Sequence, residues 1–338
     1  MSRMDAGAQD DGIPTPPATA ADMAHGDKTR GAPGPRALLL EARDVPLGGV
    51  RGMEVHRSLP QRDLPMVGAW CFLDRFGPQI ARMRVEPHPH IGLQTVTWPF
   101  VGEVRHRDAI GSDVVISRGV LNIMTSGAGI SHSEYSVGDG EVPLDALQLW
   151  VALPDSRRHG ARDFERIDNL PTVHLAGAEA TVVVGTFATV ASPAKMYTPI
   201  VGAEIRIQAG ATTALPLNPA WEHALVGITG APTVEAGSDA GEITLADQNL
   251  LYLGTSRDTV TVRATSDATL FLLGGEPFED DIVMWWNFVA RSHDEVVQAR
   301  EEWEASADRF GHVVGHGDDR IPAPPLPSVR LTPRRRRV

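Results

Sequence analysis

The sequence predicts an all-β protein made of two tandem barrels, with one short helix near its C-terminal end. Short runs of β-branched and apolar residues recur along the chain, such as ThrValThrTrp at 95–98 and ValValIle at 114–116. Gly, Pro and Asp interrupt these runs at roughly the 8–12-residue spacing that is typical of sandwiches and barrels. The 338 residues are 42% apolar, which is enough to bury two cores.

The first segment, residues 1–36, is rich in Ala, Gly, Pro, Asp and Thr and has no apolar period. Such a composition buries too little apolar surface to offset the entropy lost when a chain becomes ordered. We therefore expect a disordered N-terminal tail.

The first predicted barrel covers residues 37–160. Strand-like runs follow one another there, with turn residues between them, at 94–98, 102–106, 113–116, 121–124 and 147–153. This is enough chain to go around a small barrel and return to its starting edge.

A polar, charged stretch at about 155–171 marks the predicted boundary, and residues 161–290 form the second barrel. The same β texture recurs there at 181–187, 204–207, 224–228, 243–245, 249–253, 259–264 and 269–273.

A C-terminal helix is predicted within residues 291–310. Ser292 and Glu295 have the spacing of a capping box, and Val296, Ala299 and Trp303 recur at helical spacing. After the helix, residues 311–338 return to Gly and Pro and end in four consecutive arginines at 334–337. Their composition predicts a second disordered tail.

Composition and charge exclude several classes of protein. The sequence contains no run of about 18 uncharged apolar residues and no secretion signal at its start, so we expect a cytoplasmic protein without a membrane span. Cys71, the single cysteine, cannot form an intramolecular disulfide, and its neighbours Trp70 and Phe72 predict a buried apolar position. The net charge of -12 opposes a phosphate backbone, so no direct nucleic-acid partner is expected.

Two short segments carry paired metal-ligating residues. The pairs, each two positions apart, are His88 with His90 in HisProHis and His132 with Glu134 in SerHisSerGlu. Side chains two apart on an extended segment point to the same face. Because the chain between the pairs can circle a barrel, the sequence predicts one metal site formed by these four residues.

Three imidazoles and one carboxylate suit a divalent ion such as Fe(II), Mn, Ni, Cu or Zn. A six-coordinate ion would keep two positions open for water, substrate or dioxygen. A purely structural metal is the lesser alternative, since structural sites are usually closed and rich in thiolates.

Other histidines are weaker candidates. His106 and Asp108 are also two apart, but the flanking arginines would repel a cation, so a hydrogen-bonded or salt-bridged pair is expected. His312 and His316 would share a face only on a helix, which the surrounding glycines disfavour. His223 stands alone in the second barrel, which is therefore predicted to be free of metal.

Several motifs in order resemble the pirin family of the cupin superfamily. The matching segments are PheLeuAspArgPheGlyPro at 72–78, HisProHisIleGlyLeuGlnThrValThr at 88–97, GlyGluValArgHisArgAsp at 102–108, IleMetThrSerGlyAlaGlyIleSerHisSerGlu at 123–134, LeuGlnLeuTrpVal at 147–151, GlyGlyGluPro at 274–277 and ValMetTrpTrpAsnPheVal at 283–289. The resemblance covers about residues 38–310.

The resemblance implies a bicupin, that is, two tandem cupin barrels with one metal, usually iron, in the N-terminal barrel. The family's four ligands fall onto His88, His90, His132 and Glu134. Gln94 stands where many cupins carry a Glu, but pirins do not use that position as a ligand.

The resemblance also implies two alternative activities. Some pirins resemble flavonol dioxygenases, which cleave quercetin with dioxygen and release carbon monoxide. This implies an oxidoreductase that acts on an enolisable aromatic substrate, with Glu134 as the base that takes the substrate proton. The alternative is a metal-dependent, redox-sensing regulator that binds a transcription factor or a metabolic enzyme.

Overall fold

The computed structural model describes residues 34–47, 53–237 and 241–333, and it confirms an all-β architecture of two barrels with one short C-terminal helix. The expected N-terminal tail lies almost entirely outside the described residues, as do the four terminal arginines. Within the described residues, no helix has the length and apolar character needed to cross a membrane.

The N-terminal barrel consists of two antiparallel sheets that face each other. Its strands are β2 (Arg43–Leu47), β3 (Met53–Leu59), β4 (Trp70–Ala81), β5 (Arg84–His90), β6 (Leu93–Val101), β7 (Val104–Asp108), β8 (Asp113–Ile116), β9 (Leu121–Thr125), β10 (Ile130–Ser136), β11 (Val142–Ala152) and β12 (Asp163–Ile167). The larger sheet has the order β12-β9-β6-β11-β4-β3-β2, and the smaller has the order β5-β10-β7-β8.

The C-terminal barrel repeats this design. Its strands are β1 (Pro35–Leu40), β13 (Thr172–Leu175), β14 (Ala178–Phe187), β15 (Val190–Ala191), β16 (Ile200–Ile207), β17 (Thr212–Pro216), β18 (Glu222–Thr229), β19 (Thr233–Glu235), β20 (Glu242–Thr244), β21 (Leu250–Gly254), β22 (Thr259–Arg263) and β23 (Ala268–Gly275). The larger sheet has the order β1-β21-β18-β23-β16-β14-β13, with β15 on β14, and the smaller has the order β17-β22-β19-β20.

The structure differs from the predicted domain limits at both ends of the first barrel. Residues 35–40 form β1, which pairs with β21 of the C-terminal barrel rather than opening the first one. Residues 163–167 form β12, which pairs with β9 and extends the first barrel beyond residue 160. A local apolar pattern predicts a strand but not the distant strand with which it pairs. The predicted limits therefore placed both segments in the wrong barrel.

The larger sheets of the two barrels pack against each other through a shared apolar core. Trp70 and Trp98 from the first barrel lie in this core with Phe271 from the second. Both indoles also donate a hydrogen bond across the interface: Trp98 Nε1 to Glu204 at 2.7 Å, and Trp70 Nε1 to the Val201 carbonyl oxygen at 3.1 Å. Each buried indole N–H therefore has a partner, as a buried donor requires.

The predicted helix is present as α1 (His293–Glu304), and Ser292 is its N-cap. The Ser292 hydroxyl accepts the backbone N–H of Glu295 at 3.3 Å, while the Glu295 carboxylate accepts that of Arg291 at 3.0 Å. The helix buries the predicted residues Val296, Ala299 and Trp303. It packs beside the hairpin of β24 (Val283–Trp285) and β25 (Phe288–Ala290).

The expected C-terminal disordered tail is wrong for residues 311–333. This segment lacks regular secondary structure but packs onto the N-terminal barrel, and Val313 is buried. The Trp303 indole donates to the carbonyl oxygen of Ile321 at 2.9 Å, and the Ile321 N–H donates to that of Pro87 at 2.8 Å. A few isolated contacts hold this segment on the barrel. Isolated contacts leave no periodic pattern of apolar residues in the sequence, so composition alone did not reveal them.

Cys71 is buried, as its apolar neighbours predict. Burial raises the pKa of its thiol to about 12, so the group stays protonated near neutral pH. The cytoplasmic location, expected from the lack of a long apolar run and of a secretion signal, stays a prediction.

Candidate metal centre

Three histidine side chains meet inside the N-terminal barrel. β5 carries His88 and His90 on one face because they alternate with Pro89 along the strand. β10 is the antiparallel neighbour of β5, and its register sets His132 opposite His88. The nitrogen atoms that could bind an ion lie within 4.8 Å of one another, and all three histidines are buried. The structure thus brings the two predicted segments together.

Hydrogen bonds determine which nitrogen carries the proton in two of these rings. His88 Nδ1 lies 2.9 Å from the Glu86 carbonyl oxygen, and His90 Nδ1 lies 3.2 Å from that of Asn287. A carbonyl oxygen only accepts, so both Nδ1 atoms donate and both Nε2 lone pairs face the cluster. His90 Nε2 lies 3.1 Å from His132 Nε2. Nitrogen atoms this close fit a shared cation, so the donor set suits a metal ion.

Burial keeps these imidazoles neutral at pH 7. Loss of water lowers the pKa of His88 to about 4. Burial first, and the neighbouring His88 second, lower the pKa of His90 and of His132 well below the ordinary value. Only the neutral ring binds a metal, so the protonation state suits ligation.

Glu134 shares the inner face of β10 with His132 but stands apart from His88 and His90. β7 places His106 opposite Glu134. The ligand atoms of Glu134, His106 and His132 form a second group within 4.8 Å. The four predicted residues are therefore divided between two groups, and His132 belongs to both.

Burial is the main influence on the pKa of Glu134. Burial raises the pKa of this carboxyl group. The Thr97 hydroxyl lies 3.4 Å from Glu134 Oε1 but 2.9 Å from Gln148 Oε1. The neighbouring His106 and the Thr97 hydroxyl each lower this pKa, but burial outweighs them and leaves the carboxylate more basic than usual.

His106 belongs to this cluster, which the sequence did not predict. Alternation along β7 turns Arg105 and Arg107 to the opposite face, so their charges do not point at the ring. His106 Nε2 lies 3.2 Å from Asp108 Oδ2, the expected hydrogen bond, and His106 Nδ1 lies 3.3 Å from His132 Nδ1. The two-residue spacing of His106 and Asp108 indicated that their side chains share a face. The flanking arginines argued against a cation site there, although their side chains lie on the opposite face.

Asp108 anchors the outer end of this chain of contacts. Burial opposes its ionisation, but hydrogen bonds from His106 and Ser112 outweigh burial and lower the pKa of the carboxyl group. Its Oδ1 accepts the backbone N–H groups of Ile110 and Ser112, each at 3.0 Å. A fixed carboxylate can orient the His106 ring and determine which of its nitrogens carries the proton.

Aromatic rings line the space around the histidines. The Trp150 ring meets His90 edge-on with 5.1 Å between centroids, and Phe72 stacks on Trp150 at 4.0 Å. Phe164 stacks on His106 at 4.8 Å. These walls exclude water and account for the low histidine pKa values.

The remaining residues singled out by the sequence lie elsewhere. The Gln94 amide donates to Thr125 Oγ1 and to the Lys195 carbonyl oxygen, away from the cluster. His223 is buried in the second barrel, where burial lowers its pKa to about 4. Both groups of ligand atoms found among the described residues lie in the first barrel. That the second barrel holds no metal stays a prediction.

The outer face of β10 contacts the C-terminal segment. Ser133 Oγ lies 2.9 Å from His316 Nε2, and the Tyr135 hydroxyl contacts both His316 and Glu86. His312, by contrast, is exposed. No helix spans the two histidines, as expected, yet His316 is buried. A pocket of about 480 Å³ on this outer face contains none of the candidate ligands.

Comparison with known proteins gives matches over both barrels. The family described as Pirin matches residues 52–151, and the family described as Pirin C-terminal cupin domain matches residues 202–311. These two matches cover the cluster of histidines and most of the second barrel.

Individual relatives match over most of their length. "Putative quercetin 2,3-dioxygenase PA1205" of Pseudomonas aeruginosa is 40% identical over 290 residues, which are 85% of this chain and 89% of that protein. A "Pirin-like protein" of Caulobacter vibrioides is 35% identical over 305 residues, or 85% of this chain and 99% of that protein.

A crystal structure of quercetin 2,3-dioxygenase from Acinetobacter baumannii is also similar to this chain. It superposes with a TM-score of 0.81 at 38% identity and covers 87% of this chain and 97% of that chain. Both barrels, the order of the motifs and the relatives agree, and the chain belongs to the pirin family of two-barrel cupins.

Proposed function

We propose that the protein is a metal-dependent dioxygenase that acts on an enolisable aromatic substrate of the flavonol type. The observation that carries the proposal is the convergence of three buried, neutral imidazoles, with Glu134 and His106 beside them. Similarity to proteins named as quercetin 2,3-dioxygenases supports the reaction class.

His88, His90 and His132 would hold the ion, and Glu134 would complete the set. One divalent ion per chain is expected, with Fe(II) as the first choice and Ni, Cu, Mn or Zn as alternatives, because imidazole and carboxylate accept them all. When bound, a divalent ion supplies a positive centre that lowers the pKa of an enol, and Fe(II) also supplies an electron to dioxygen.

The residues of the chain have separate tasks in this proposal. Glu134 accepts the proton of the substrate hydroxyl at a carboxylate oxygen, since burial makes this carboxylate more basic. Trp150 and Phe164 exclude water and offer flat surfaces to an aromatic ring. His106, held by Asp108, keeps the His132 ring in place.

Oxygen uptake with quercetin tests the proposal. The metal-loaded protein should consume dioxygen, and Glu134→Gln should keep most of its metal but lose roughly 10²- to 10⁴-fold in rate, because the amide cannot accept the proton. Plasma mass spectrometry gives the metal content. His223→Ala, which removes a buried histidine of the other barrel, is the control and should change neither quantity.

Near-complete burial of the cluster favours a second candidate function, that of a metal-dependent regulator with a protein partner. His90 and His132 are each 1% exposed, and a regulatory metal needs no path for a substrate. The outer face of β10, which contacts the C-terminal segment, would carry the state of the metal to the surface. A wild-type protein that holds its metal but is inert towards every flavonol would decide for this candidate.

A further inference from the structure

Asn122 lies inside the N-terminal barrel with both ends of its amide unpaired. Its Nδ2 and Oδ1 atoms are buried without a hydrogen-bond partner among the described residues, and the residue is 3% exposed. Leaving a buried polar group unpaired costs as much as losing a hydrogen bond. The Asn122 amide therefore needs a hydrogen-bond partner that the described residues do not supply.

The register of the sheet shows where this amide points. Asn122 on β9 stands opposite Thr97 on β6, and Thr97 stands opposite Gln148 on β11. Residues opposite each other in a sheet share a face. The Thr97 hydroxyl contacts both Gln148 and Glu134, so this face looks into the candidate metal centre. Asn122 faces the same interior.

An aromatic row runs beside this polar row on the same face. Two residues further along the strands, the register joins Trp150, Thr95, Met124 and Phe164. The rings at both ends of this row contact histidines of the cluster. The wall thus offers flat apolar surface next to a free amide, which suits a planar ring with a polar group on its edge.

We propose that Asn122 is a specificity-determining residue that pairs with a ring hydroxyl group, other than the enol, of an aromatic substrate. The inference rests on the proposed dioxygenase function and names the part of the substrate that is recognised. A ring hydroxyl can donate to Asn122 Oδ1 and accept from Nδ2, so one substrate group satisfies both unpaired ends. A substrate without that group leaves the amide unpaired and binds less tightly.

Anaerobic binding titrations test this role without turnover. The probes are quercetin and 3-hydroxyflavone, which keeps the enol but lacks the other ring hydroxyls, added to iron-loaded protein. Asn122→Leu keeps the volume and removes the amide, and it should weaken quercetin binding by about 10- to 100-fold. The affinity for 3-hydroxyflavone should change by less than about threefold, since that ligand has no ring hydroxyl besides the enol.

The control is Thr213→Val, which removes another buried, unpaired polar group, this one in β17 of the second barrel. It should leave both affinities unchanged. Metal content and melting temperature are measured for every variant, and Asn122→Ala replaces Asn122→Leu if the leucine disturbs the fold.

Three outcomes overturn the inference, and they are distinguishable. Equal quercetin affinity in wild type and Asn122→Leu removes the role of Asn122 but leaves the proposed function intact. Equal weakening of both ligands means that the variant damages the site in general. A metal-loaded wild type that binds neither ligand refutes the proposed function, and the role of Asn122 with it.

Discussion

His132 is the residue that both groups of ligand atoms share. Its Nε2 faces His90, and its Nδ1 faces His106, which in turn contacts Asp108. With one proton on each ring, Asp108 accepts from His106 Nε2, and His106 Nδ1 accepts from His132. This arrangement leaves the His132 Nε2 lone pair directed at the cluster. The Asp108 carboxylate, acting through His106, thus leaves His132 Nε2 unprotonated and able to bind a metal ion.

Asp108→Asn is expected to lower metal affinity about 10- to 100-fold, because the amide can donate where the carboxylate accepts and so disturbs the proton order. Competition with a chelator measures the affinity. Asp113→Asn is the matched control, since Asp113 sits on the exposed outer side in a salt bridge with Arg105. Equal loss in the two variants would show that the effect is only one of charge.

The buried histidines also determine how the metal-free protein responds to acid. The pKa of His88 is about 4 in the folded protein, against an ordinary value near 6.5 when unfolded. The unfolded chain therefore binds more protons between these values, so stability falls as the pH drops from about 6.5 to about 4. His90 and His132 act in the same direction, while Glu134, with a raised pKa, opposes them.

Thermal melting of the metal-free protein at pH 7 and pH 5 should show this loss. His88→Gln removes one of the titrating groups, and its melting temperature should depend less steeply on pH. Identical slopes for the variant and the wild type would mean that His88 does not lose its proton on folding.

At the scale of elements, the paired spacing in β5 and β10 was enough to predict which side chains share a face. The period of two is a local property, so His88 with His90, and His132 with Glu134, could be placed from sequence. The division of these residues between two groups of ligand atoms could not, because it depends on the neighbouring strand β7. The distances between side chains on different strands depend on how the sheets pack, and a local sequence pattern does not determine this packing.

The C-terminal segment, residues 311–333, could not be predicted from the sequence, because its Gly- and Pro-rich composition is that of a disordered tail. A matched pair of substitutions tests its packing: Val313 is 2% exposed and its neighbour Val314 is 74% exposed. Val313→Asp places an unpaired charge at a buried position and should lower the melting temperature by several degrees. Val314→Asp should stay within about 0.5 kcal/mol of wild type. Equal melting temperatures would mean that the segment does not dock in solution.

At the scale of the whole molecule, a buried ion pair helps to join the two barrels. Arg75 is 1% exposed and bonds Asp145 through two 2.8 Å contacts, and its third contact is with the Ile228 carbonyl oxygen of the other barrel. Together with the apolar core that spans both larger sheets, this predicts that the two barrels unfold as one unit.

Arg75→Met should cost about 3–5 kcal/mol, because it leaves Asp145 buried without a partner. The double variant with Asp145→Leu should recover much of that loss, since no unpaired charge remains. Urea unfolding measures both. Arg105→Met breaks a similar two-bond pair at the surface and should cost less than about 1 kcal/mol. A similar cost for both single variants would contradict the role assigned to burial.

The placement of β1 in the far barrel has a consequence for protein synthesis. Leu40 pairs with Leu250, about 210 residues later in the chain. At about 5–20 residues per second, β1 leaves the ribosome about 10–40 s before its partner strand exists. During that interval the N-terminal barrel can form while β1 waits as an unpaired edge, the kind of strand that invites pairing with another chain. The nascent protein therefore passes through a period in which a chaperone that covers this strand would raise the yield of the folded molecule.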